Sequence, residues 1–135
     1  MRVRNALITA VVLGMAATTG AVAQDESGEA LYMNACAVCH GTTAAGDGSL
    51  AEFMNVPVPN LRQLSQRNDG IYPMLEVIQT IDGRSGIRAH GSEMPFWGDL
   101  FKADAVDDGG MYGSEVIVRG QMLSLALYLE ELQEE

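Results

Sequence analysis

Three stretches of this chain carry a helical rhythm of apolar residues, and no stretch carries the alternation of a strand. The longest rhythm lies near the C-terminus. There Val118, Met122, Leu125, Leu129 and Leu132 step by four and three, which lays one apolar stripe along a helix. Ser114 stands ahead of that stripe as the expected N-cap. Residues 73–81 open on a proline, favoured in a first helical turn. They place Met74, Val77, Ile78 and Ile81 at i, i+3, i+4 and i+7, an amphipathic helix. Residues 26–36 read as a short first helix with Gly28 and Tyr32 four apart on one face. One or two helical turns are expected over residues 61–67, ended by Asn68-Asp69-Gly70. Residues 41–60, rich in Gly, Thr and Pro, read as loop, as do residues 82–95. Residues 99–112 read as an irregular acidic stretch. The pattern therefore predicts an all-α domain of three main helices with loops between them.

The N-terminus follows another logic. Arg2 and Arg4 precede an unbroken run of apolar or small residues over 6–17, and Ala21-Val22-Ala23 offers small residues where a signal peptidase reads. Residues 1–23 are expected to be a secretory signal, and residues 24–135 one domain. The alternative is a retained anchor, since residues 5–24 are uncharged and nearly span a bilayer. The weak apolarity of Thr18, Thr19 and Gly20 favours removal. The product would be an exported, periplasmic protein without stable membrane insertion.

Charge narrows the partners. Eighteen acidic against eight basic residues give a net −10. Loss of Arg2 and Arg4 with the signal would leave −12. Such a chain will not bind nucleic acid through phosphate contacts. It suits partners with basic docking surfaces, unless the acids serve solubility alone.

Two cysteines in an exported chain would ordinarily suggest a disulfide. Here the run is Cys36-Ala37-Val38-Cys39-His40, the C-x-x-C-H pattern of covalent haem attachment. Residues i and i+3 share a helix face, so both sulfurs can reach one edge of a porphyrin, and His40 follows as the proximal iron ligand. A thioredoxin-like reading lacks its strand. A zinc site built from Cys36, Cys39, His40 and His90 would close a tetrahedron awkwardly on adjacent residues. For the sixth iron position, Met94 stands out in Gly91-Ser92-Glu93-Met94-Pro95, where proline fixes the backbone beside a thioether. His90 is the alternative. Met74 and Met122 fall at core spacing instead. Arg84, Arg88 and Trp97 border the ligand loop and are candidates for haem propionate contacts, since arginine pairs well with carboxylate.

On these residues the chain resembles the class I cytochromes c, over the whole of residues 24–135. The resemblance implies a small cytochrome c fold wrapped around one covalent haem c and its iron. It implies that Gly28 and Tyr32 on the first helix pack against Tyr128 on the last. Gly46-Asp47-Gly48 resembles the loop that follows the haem motif in bacterial members. A proline carbonyl in the next loop should steady the proximal imidazole, with Pro57 and Pro59 both eligible. Gly120, after Arg119, departs from the family's hydrophobic residue there. It suggests close helix approach or a late helix start.

The function expected is electron transfer between a redox donor and acceptor, with iron cycling between Fe(II) and Fe(III) under His40 and Met94. No catalytic residue is needed. The alternatives are a haem subunit of a periplasmic dehydrogenase or oxidase complex, and a haem enzyme or gas sensor with an open iron site.

Overall fold

The computed structural model describes residues 22–84 and 94–134. Arg88, His90 and the expected signal segment lie outside them, apart from the helix start at Val22. Among the described residues there is no strand. Four helices are present: α1 (Val22–Ala35), α2 (Ala37–His40), α3 (Met74–Asp82) and α4 (Trp97–Glu131), with single 3-10 turns at Ala51–Phe53, Leu61–Gln63 and Gln66–Asn68. The chain is all-α, as its periodicity predicts.

α1 and α3 both pack on α4. The C-terminal stripe faces inward as expected, with Val118, Met122, Leu125 and Leu129 buried. Val77 and Ile81 of α3 close on the same core. α1 crosses α4 at Gly28. A β-carbon there would lie 2.9 Å from Tyr128 Cβ and 3.1 Å from the Ser124 carbonyl carbon, so only glycine lets the two backbones approach this closely. Beside the crossing, the Tyr32 and Tyr128 rings meet at 5.5 Å between centroids and are tilted by 49°, a favourable aromatic geometry. Tyr32 is fully buried, and its hydroxyl donates to the Gly41 carbonyl at 2.6 Å. Burial raises its ionisation well above the ordinary tyrosine value. Tyr72 ties the segment before α3 to the last helix by donating to the Ala126 carbonyl at 2.8 Å.

The stretch 99–112 departs from its expectation as an irregular segment. It is helical within α4, with a break at Gly110 (φ 61°, ψ −171°). Gly98, Phe101 and Ala105 are buried at i, i+3 and i+7, so this arm has a core-facing side that is short and mostly small. At the break the chain bends back sharply. Lys102 Nζ lies 3.4 Å from Glu115 Oε2, although a straight helix would separate residues so far apart in sequence by about 20 Å. Ser114 is not the cap of the last helix. It is fully buried, and its hydroxyl donates back to the Met111 carbonyl at 3.2 Å, a local bond typical of serine inside a helix. Gly120 approaches nothing: no atom lies within 4 Å of where its β-carbon would be, and it sits mid-helix rather than at a start.

Candidate functional site

A cleft of about 570 Å³ opens between α2, the segment 54–64, α3 and the inner face of α4. One wall is built by the cysteine motif. Cys36 caps α2 and is buried, Cys39 is half-buried and His40 is buried; all three line the cleft. The two thiols are not joined to one another. Burial, then the neighbouring Cys39, pushes the Cys36 thiol up to about 12. α2 is only four residues long. Loop bonds therefore hold its end: Gly46 N donates to the His40 carbonyl at 2.8 Å and Gly48 N to the Cys39 carbonyl at 3.0 Å. This is the work of Gly46-Asp47-Gly48.

The His40 ring is oriented by Pro59. Nδ1 lies 3.4 Å from the Pro59 carbonyl oxygen. A carbonyl can only accept, so Nδ1 carries the proton in this long, weak bond, and Nε2 is the nitrogen with the lone pair. The structure thus separates the two eligible prolines. Pro57 also lines the cleft, but the carbonyl at the ring is that of Pro59. Pro59 is held in place from Asn60, whose side chain accepts from Arg62 N at 2.9 Å and starts the turn at Leu61.

Met94 lines the cleft from the segment between α3 and α4, half-buried, with Trp97 beside it. The Trp97 ring sits 5.5 Å from that of Phe101, which fastens it to the first arm of α4. A second methionine, Met54, also reaches the cleft. It comes from the same stretch as Pro59 and so shares a wall with His40.

Arg84 is placed elsewhere. It does not line the cleft. Its guanidinium grips two carboxylates, Asp82 at the end of α3 and Glu115 on α4, the latter through Nη1 at 2.9 Å and Nη2 at 3.3 Å. Hydrogen bonds from Arg84, then Arg119, hold the Glu115 carboxyl down at about 2. Among the described residues the arginine that borders the cleft is Arg67, which the sequence reading missed. Its guanidinium donates to the Asn60 carbonyl. The sequence gives little notice of it beyond a basic residue shortly after the proline loop.

The cleft suits a flat, largely apolar group with acidic edges. Its interior is walled by Val, Leu, Ile, Pro and Met side chains, and among the described residues Arg67 and Glu76, both exposed, bring Arg and Glu charge to its edge. Its volume is in the ordinary range for cofactor sites. Two sulfurs and an imidazole stand on one wall, and a thioether faces the same space from the segment before α4. That donor set matches haem c. Among the described residues no group of three or more His, Cys, Asp or Glu is placed to hold a bare metal ion, and no helix is long and apolar enough to cross a membrane.

Searches of curated proteins and of solved structures returned no significant match. A family model described as "Cytochrome C oxidase, cbb3-type, subunit III" matches residues 23–110.

Proposed function

The chain belongs to the cbb3-type cytochrome c oxidase subunit III family, and from that premise we propose that it is an exported, single-haem electron-transfer protein with His40 and Met94 as axial ligands. The family binds covalent haem c and transfers electrons through its iron. The observation that carries the finer reading is the cleft itself, where Cys36, Cys39, His40 and Met94 converge on one apolar space.

When bound, haem supplies one-electron exchange between ferrous and ferric iron. The remaining work belongs to the chain. Cys36 and Cys39 would hold the ring covalently. Pro59 fixes the His40 tautomer, so that Nε2 would be the nitrogen to ligate iron. Met94 would supply a thioether, which raises the reduction potential relative to a second histidine. Leu125 and Leu129, buried and lining the cleft, make its inner wall apolar, and a low-dielectric surround is one of the levers on potential. Arg67 and Trp97 are the described residues best placed to meet a propionate; Arg84 is committed to its two carboxylates. With His40 and Met94 both holding the iron, no position on it would be open to a substrate, which suits electron transfer rather than turnover. The acidic surface favours redox partners with basic docking faces.

The test is optical. The pigment should stay with the polypeptide in acid-acetone, and the ferric protein should show the weak long-wavelength band of sulfur–iron coordination. Met94→Ala should remove that band and lower the potential, whereas Met54→Ala should leave it. Extractable haem, or a band lost with Met54 rather than Met94, overturns the assignment.

A further inference from the structure

Arg84 does more than neutralise two acids. It sits two residues beyond the end of α3, at the point where the chain leaves that helix, and the residues it touches gather three parts of the molecule. Asp82 is the last residue of α3. Gly98, second residue of α4, is pressed against both: a β-carbon on it would lie 2.5 Å from Arg84 Nε and 2.8 Å from the Asp82 carbonyl oxygen. Glu115 belongs to the second arm of α4 and arrives only because the chain bends back at Gly110. Lys102 of the first arm reaches the same Glu115 carboxylate, and Arg119 approaches it one turn further on at 3.2 Å.

We propose that Arg84 is a positioning residue for the sixth iron ligand: packed on Gly98 and bridging Asp82 to Glu115, it fixes residues 94–98 against the cleft and so would hold the Met94 thioether at the iron. The proposal rests on the Met94 reading given above. Met94 is four residues from Gly98, and Trp97, its cleft-lining neighbour, is one residue away. No covalent bond ties this segment to the cysteine wall. Its position is set by the start of α4, and the start of α4 is set by the Asp82–Arg84–Glu115 clasp and by Phe96, which packs on Gly83 at the end of α3. The guanidinium is suited to the task because its planar fork bonds two carboxylates at once, which a lysine ammonium does with less geometric constraint. Without it, Glu115 keeps Lys102 and Arg119, but Asp82 loses its guanidinium and the tie between the end of α3 and the second arm of α4 is gone, so the start of α4 is freed from α3.

The experiment uses the haem-loaded protein and three variants, Arg84→Gln, Arg84→Lys and Glu115→Gln, with Arg62→Gln as a control that breaks a distant ion pair to Glu134. Far-UV circular dichroism establishes that each is folded. Three readouts follow: the pH at which the long-wavelength sulfur–iron band disappears, the rate of carbon monoxide binding to the ferrous form, and the emission of Trp97, the only tryptophan of the chain, which haem quenches at close range. In Arg84→Gln the band should disappear about one pH unit earlier, a tenfold change in the ligation equilibrium. Carbon monoxide should bind faster and Trp97 emission should rise. Arg84→Lys should recover part of each change, and Glu115→Gln should shift all three in the same direction by less, because Asp82 still holds the guanidinium. Wild-type values in a folded Arg84→Gln overturn the proposal, as do equal changes in Arg62→Gln. If Arg84→Gln does not fold, wild-type values in Glu115→Gln overturn it instead. Absence of the band from the wild type overturns the Met94 reading, and Trp97 emission then still reports whether the clasp holds its segment.

Discussion

Gly28→Ala and Gly120→Ala place the same methyl group inside a helix and should move stability in opposite directions. At position 28 the new β-carbon meets Tyr128 Cβ at 2.9 Å and the Ser124 carbonyl carbon at 3.1 Å, where ordinary contact begins at 3.4 Å. α1 and α4 must part by at least roughly half an ångström, in a region packed too densely to yield for nothing. Overpacking of this kind costs about 1–3 kcal/mol. Backbone lies on both sides here and no flexible side chain can swing away, so the upper half of that range applies. Alanine returns about 1 kcal/mol of helix propensity, leaving a net loss of about 1–2 kcal/mol. Part of it is read out at the Tyr32–Tyr128 contact beside the crossing. At position 120 no atom lies within 4 Å of the new carbon, so the propensity gain is kept whole and the variant should be more stable by up to about 1 kcal/mol. The assay is guanidinium chloride unfolding of the two loaded variants at one pH and ionic strength, followed by circular dichroism and extrapolated linearly. Gly28→Ala as stable as the wild type would refute the close crossing. Gly120→Ala as damaging as Gly28→Ala would show that the outer face of α4 is covered.

Three further outcomes follow from the same contacts. Tyr32→Phe removes the bond to the Gly41 carbonyl, which keeps its second donor, Ala44 N, at 3.2 Å; thermal or denaturant unfolding should register a loss of about 1 kcal/mol. The folded Glu115 carboxyl titrates at about 2, below its ordinary 4.5, because of hydrogen bonds from Arg84 and Arg119. Its contribution to stability is therefore complete above pH 4.5 and is lost as pH falls toward 2. A melting-temperature series across that window should decline less steeply in Glu115→Gln, and parallel curves would contradict the pairing. Second-order electron-transfer rates with a basic redox partner should fall as salt rises, since the acids act over about 10 Å at ordinary ionic strength. A flat response would assign the charge to solubility.

The parts of the fold legible in the sequence are those that local patterning specifies. Val118, Met122, Leu125 and Leu129 announce their helix because each large apolar residue repeats one turn on, and all four are buried. Cys36, Cys39 and His40 announce their chemistry because three side chains on one short helix suffice to state it. The Tyr32–Tyr128 contact was expected only through resemblance, since nothing local links residues so far apart. The first arm of α4 was hidden because its buried face is Gly98, Phe101 and Ala105, with a single large apolar residue among acids and glycines, so the helical period is nearly silent. Missing that arm also meant missing the bend at Gly110, and without the bend Glu115 has no route to Arg84. Reading Arg84 as a propionate partner followed from its place beside the ligand loop; the carboxylates that engage it come from the spatial arrangement. Pro59 and Pro57 differ in the same way, by the direction of a carbonyl rather than by residue type.

The meeting of α1 with α4 also dictates an order of assembly. Gly28 and Ser124 touch across almost the whole domain, and the entropy of closing such a span is about 4 kcal/mol by the logarithmic law for flexible chains. Contacts of this range make folding slow relative to local helix formation. α1, which leads into the haem motif, is thus among the first segments synthesised, yet its packing partner on α4 is among the last. Throughout that interval Cys36 and Cys39 sit on an open chain, and the buried environment that α4 completes around Cys36 does not yet exist. A polypeptide ending at Gly110 contains the motif, Pro59 and Met94, yet lacks every residue of the last helix against which Gly28 and Tyr32 pack. It is a haem motif without a fold to enclose it.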